Sequence, residues 1–217
     1  MPAVWVFMSI VILIISFIAG FIFFYVTSSL TNHVKKKQLE EITSLLIDFI
    51  ILIWIGKLIL NINVFISDPL AVLAYPSNSK AFYIAVLLLI LHIGYQVKRH
   101  KFEIKTLLFS FVPVFLVASF VYEFIQIVWV GNTFTWCYLG LLMVLLIIYL
   151  IFHDRISSKR ITFSLLTIWS LGQLILAMIM PFITVFGYML SPWFMSLILI
   201  FCFILFIKTI ERGNHND

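Results

Sequence analysis

Seven apolar runs, each close to the length that crosses a lipid core about 30 Å thick, divide this chain from end to end. They lie at about 4–27, 42–64, 81–97, 106–130, 136–153, 161–182 and 190–208, separated by short polar stretches. The third and fifth are short and reach across only with little tilt. Of the 217 residues, 64% are apolar and 11% charged, where soluble domains have roughly 45–50% and 25%. The mean hydropathy is +1.18. No soluble core hides that much apolar surface, so the expected fold class is an all-α integral membrane protein with seven transmembrane helices. A single polytopic domain over residues 1–217 is expected, with no soluble domain and no internal repeat.

The charges set the expected orientation. "NHVKKKQLEE", "KRHKFEIK", "HDRISSKR" and "KTIERGNHND", after the first, third, fifth and seventh runs, hold 12 of the 14 Lys and Arg residues. The intervening loops "SDPLAVLAYPSNSK", "GNTFT" and "FITVFGYMLSP" hold only Lys80. The positive-inside rule then places the N-terminus outside and the C-terminus in the cytoplasm of a multi-pass cell membrane protein. The net charge of +5 is accounted for by these loops and is no nucleic-acid signal. The first run has no positive charge before it and reads as a retained helix. Pro69, Pro76, Pro181 and Pro192 fall near the outer ends of spans, and Pro113 lies inside the fourth. Residues 65–80 are too apolar for a free loop and too short to span, which suggests a re-entrant or interfacial segment.

No metal-binding or hydrolase motif appears, and neither a metal nor a cofactor is expected. Cys137 and Cys202 lack a C-x-x-C neighbour and read as two buried thiols. His33, His100, His153 and His215 lie in basic surroundings and read as solvated; His92, inside the third run, reads as bonded to a neighbouring helix. Ionisable residues inside spans are functional candidates by default. They are Asp48, Lys57 and Glu123. Asp48 is near the cytoplasmic end of its span and reads as structural, reaching the headgroups or the KKK loop. Lys57 and Glu123 lie in the outer halves of two helices running the same way, which suggests an ion pair; snorkelling of Lys57 is the competing reading. Asn61, one turn above Lys57, Tyr122 and Gln126 beside Glu123, and Gln173 in the sixth run would complete a polar cavity toward the outer leaflet. Helix-to-helix hydrogen bonding explains the same residues differently.

The order of features resembles the prolipoprotein diacylglyceryl transferase family, which moves a diacylglyceryl group from phosphatidylglycerol to a lipoprotein cysteine. "IGK" at 55–57 and "DPLAVL" at 68–73 stand where that family has a G-A-R-type element and an N-P-L-x-I-F-like segment. "SKAFYIA" at 79–85 stands for its G-x-x-F-H-G-G-like entry to the third span. "LLFSFVPVF", "SFVYEFIQ", "GNTFTW", "SLGQLIL" and "GYMLSPWFMSLIL" follow in the order of its later elements. The resemblance covers nearly the whole chain, with no motif intact. It implies that family's seven-span bundle, a bacterial cell membrane, and a bound membrane lipid, phospholipid or acyl chain. The cavity it implies holds Lys57, Tyr83, Tyr122, Glu123 and Gln173. The family's histidine falls at Tyr83, its signature arginine beside Tyr122 and Glu123, and its late arginine at Gln173, so only Lys57 keeps a positive charge. Glu and Gln do not bind phosphate as arginine does. The implied function is a divergent lipid-binding relative with altered or lost transferase activity, and the catalytic residues are left open. The alternative is a non-catalytic membrane partner or assembly subunit, for a membrane protein or a lipoprotein-linked system; a small transporter is a distant third.

Overall fold

The computed structural model describes residues 2–68, 72, 78–99, 104–131 and 135–214. The chain is all-α, and it divides into two compact units, 32–107 and the remainder. Among the described residues, five helices are long and apolar enough to cross a membrane: Phe7–Thr27, Asn32–Leu60, Ser79–Lys98, Thr106–Val130 and Ser158–Ile179. Two shorter apolar helices, Trp136–Phe152 and Pro192–Ile207, coincide with the fifth and seventh apolar runs. This is the helix set of a membrane protein.

The unit of residues 32–107 is a helical hairpin. Helix α2 (Asn32–Leu60) follows α1 (Pro2–Thr27) in the chain, then come α3 (Ile62–Ser67) and α4 (Ser79–Lys98). Helix α2 begins ten residues before the expected span at 42, because "NHVKKKQLEE" is rich in Lys, Gln, Leu and Glu, all good helix formers. Lys37 and Glu41 pair across one turn at 4.0 Å. The buried side of α2 (Lys35, Gln38, Ile42, Leu45, Ile53, Gly56) repeats at three- and four-residue intervals, the seam of a helix that packs along one partner. That partner is α4, whose buried residues Ala81 and Ala85 are small. A Cβ on Gly56 would lie 2.8 Å from the Ala81 carbonyl oxygen, so the two backbones meet directly. Asn78 caps α4 by accepting the Ala81 N–H at 2.9 Å. Most of the segment expected to be re-entrant, with Pro69 and Pro76, lies outside the described residues, as do His100 and His215. Its start is helical, as α3.

The second unit gathers α1, most of α5 (Ile104–Ile125), α6 (Trp136–Phe152), α7 (Ser158–Ile179) and α8 (Pro192–Asn214). Helix α1 buries Ile12, Ser16, Gly20 and Phe24, one residue per turn on one face. At Gly20 a Cβ would stand 2.6 Å from the Val114 carbonyl oxygen of α5. Helix α5 is the most enclosed of the long helices and runs through Pro113. It ends in a π-helical turn, Gln126–Val130. Helix α7 packs against both α6 and α8. It buries Ile161, Leu165, Trp169 and Gln173 at four-residue spacing, so Gln173 sits on a core face by helix geometry.

Between α7 and α8 the loop forms a small ribbon, β1 (Thr184–Val185) antiparallel to β2 (Tyr188–Met189). Its two turn residues, Phe186 (φ 50°) and Gly187 (φ 81°), both have positive φ, as a tight hairpin turn of primed type requires. Phenylalanine in that region costs about 1–2 kcal/mol. Its ring is held in exchange, stacked on Phe17 (5.3 Å) and edge-on to Phe115 (5.8 Å) and Tyr122 (5.5 Å).

Candidate functional site: a buried polar cluster

Polar side chains converge in the second unit. Glu123, on the buried face of α5, is 1% exposed, and Ser119, one turn before it, is equally enclosed. Thr135, just ahead of α6, is within hydrogen-bonding reach of the Glu123 carboxylate. Tyr138, in the first turn of α6, is the hub. Its hydroxyl accepts the Trp169 Nε1–H at 3.2 Å and lies against Ser119 and Gln173, near enough to Glu123 to feel its charge. Ser119 and Gln173 face that hydroxyl without reaching hydrogen-bond geometry. Ser119 Oγ, Glu123 Oε1 and both polar atoms of the Gln173 amide are buried with no hydrogen-bond partner. Tyr122 is buried beside them, hydrogen-bonded to Gln126, its hydroxyl against Gly187 of the hairpin.

A narrow cleft opens on this cluster. It is lined by three hydroxyl-bearing residues, Thr135, Tyr138 and Thr184, and by the apolar Leu176, Met180, Phe182 and Ile183. Its accessible volume is about 10 Å³, close to what one water needs.

The structure therefore brings together Tyr122, Glu123, Gln126 and Gln173 of the expected cavity, and adds Ser119, Thr135, Tyr138 and Trp169. Two of the additions carried a signal in the sequence. Ser119 precedes Glu123 by one turn, and Trp169 precedes Gln173 by one turn. Lys57, Asn61 and Tyr83 belong to the other unit, and each has neighbours there. The Lys57 ammonium stands 5.9 Å from the Trp54 ring centroid, at the outer limit of a cation–π contact. The Asn61 side chain donates to the Lys57 carbonyl at 2.9 Å, closing the last turn of α2. Tyr83 is half-buried, with its ring edge-on to Phe82.

Asp48 and His92 have the structural roles expected of them, and Cys137 differs from expectation. Asp48 is not held by the KKK loop: its carboxylate lies 3.4 Å from His92 Nε2 on α4, and Gln96 contacts the same nitrogen. Cys137 is exposed, because it faces away from the Tyr138 side of α6, whereas Cys202 is buried. Among the described residues no three or more His, Cys, Asp or Glu side chains gather as a metal site. Comparison with family models, with curated proteins and with solved structures gives no match.

Proposed function

We propose that the chain is a seven-span protein of a bacterial plasma membrane, N-terminus outside, that binds one membrane lipid or acyl chain. In this reading it is a divergent relative of the prolipoprotein diacylglyceryl transferases that has lost their reaction. The observation that supports it is the mixed lining of the cleft: hydroxyls of Thr135, Tyr138 and Thr184 beside the apolar Leu176, Met180, Phe182 and Ile183. That pairing matches an acyl chain with a polar end. The cleft is narrow, so a lipid enters only as the segment after α7 moves aside. Among the described residues, none of the side chains named in the cluster is cationic, and a phosphate next to an ionised Glu123 would be repelled rather than bound. Phosphatidylglycerol is therefore a poor substrate, and transfer from it is not expected.

Native mass spectrometry of the purified protein tests the lipid. A lipid should remain bound, and Leu176→Trp with Met180→Trp should displace it; a lipid-free wild type, or full occupancy in the blocked variant, refutes the reading. Orientation is tested by cysteine labelling. An impermeant reagent applied outside should modify Ser77→Cys and spare Ser158→Cys; the reverse pattern inverts the topology. In cells lacking their own transferase, expression of this chain should leave prolipoproteins unmodified.

A further inference from the structure

The lipid cleft leaves the innermost polar atoms unused. Ser119 Oγ, Glu123 Oε1 and the Gln173 amide lie behind Tyr138, at most 1% exposed and unpartnered. Three of their properties define what they can hold. They offer oxygens: a carboxylate, an amide carbonyl and one hydroxyl, to which Tyr138 adds a second, the donor set of a hard cation. The amide can present its oxygen because its two ends are interchangeable by rotation. Their one acidic group is Glu123, and an enclosed carboxylate either takes a proton or holds a counter-charge close by. They are closed off, with Ser119 and Glu123 1% exposed and Gln173 0%, which suits a small occupant.

We infer that Ser119, Glu123, Tyr138 and Gln173 form a binding site for a single monovalent cation of sodium size. Glu123 Oε1 neutralises the ion, and the Gln173, Ser119 and Tyr138 oxygens complete the shell. Thr135 holds the carboxylate, and the Trp169 N–H turns the Tyr138 oxygen toward the ion. A divalent ion would keep an uncompensated charge, and an anion would meet Glu123. The site shares only Tyr138 with the walls of the proposed lipid cleft, and it does not depend on that reading.

The test is the thermal midpoint of the full-length protein in detergent, at fixed pH, titrated with NaCl, KCl or choline chloride at matched ionic strength. Sodium should raise the midpoint saturably, while choline leaves it unchanged. Glu123→Gln should abolish the sodium response, and Ser119→Ala should raise the half-saturating concentration about tenfold, the loss of one charge-assisted contact. An equal response to all three salts reveals ionic strength alone and overturns the inference. So does a sodium response that survives Glu123→Gln. If Glu123→Gln fails to fold, retention of radioactive sodium by the wild type and Ser119→Ala decides it: no retention by the wild type, or equal affinity in both, refutes the site.

Discussion

In the hairpin of α2 and α4, the polar groups among apolar residues find one another: Asp48 meets His92, His92 meets Gln96, and Asn61 closes its own helix. In the unit around α5 some do, Trp169 with Tyr138 and Tyr122 with Gln126. Four buried side-chain atoms there lack partners, against Gln38 Oε1 alone among the described residues of the hairpin. Glu123 and Gln173 are more deeply enclosed than Asp48 and His92, whose side chains are 33% and 39% exposed, yet they keep atoms without partners. Burial alone does not explain the contrast, since the deeper groups should be the better satisfied. The first arrangement is what helix adhesion requires. The second sacrifices stability for open valences, as binding sites do.

Several substitutions would break or sharpen that comparison. The largest effect should be common to both units. Gly20→Ala and Gly56→Ala each drive a Cβ into a backbone carbonyl, at 2.6 and 2.8 Å, and should cost about 1–3 kcal/mol in reversible unfolding. A neutral result in either would deny the close helix approach there. The next effect should have opposite signs. In sodium-free buffer, Gln173→Leu removes two unsatisfied atoms at nearly constant volume and should stabilise by about 1 kcal/mol. Asp48→Leu, which strands His92, should destabilise; a Gln173→Leu variant that loses stability would mean the amide is satisfied after all. Smaller still is the coupling between Asp48 and His92, expected near 0.6 kcal/mol in a double-mutant cycle. Additive losses would make the pair incidental. Finally, a membrane-permeant maleimide should modify Cys137 in the folded protein and reach Cys202 only on unfolding, with no change of stability on labelling Cys137.

The helix positions were legible because each apolar run had to be about one membrane thickness long, and each coincides with a helix to within a few residues. The start of α2 was not, because its first ten residues are polar and the search was for apolar length. The hairpin at 184–189 is too short for strand periodicity, and Phe-Gly between Val185 and Tyr188 is not one of the usual hairpin turn pairs. Glu123 and Gln173 stood out as polar letters in apolar runs. Tyr138 did not, since an aromatic residue counts as apolar and its hydroxyl becomes informative only once α6 and α7 are side by side. The expected partnership of Lys57 and Glu123 rests on depth along the helices and joins residues of different units, so it stays an expectation. Within their units, Lys57 lies near Trp54, and Glu123 near Thr135 and Tyr138.

The ring of Phe186 touches Phe17, a residue from the opposite end of the chain. During synthesis the first helix emerges long before the hairpin that covers it, so for most of that time its inner face near Phe17 lacks its final neighbour. Contacts so distant in sequence form late. The unit's closure therefore awaits nearly complete translation, and truncation before residue 184 should leave α1 as an insertion intermediate, open to quality-control proteases or to a chaperone that covers the same face.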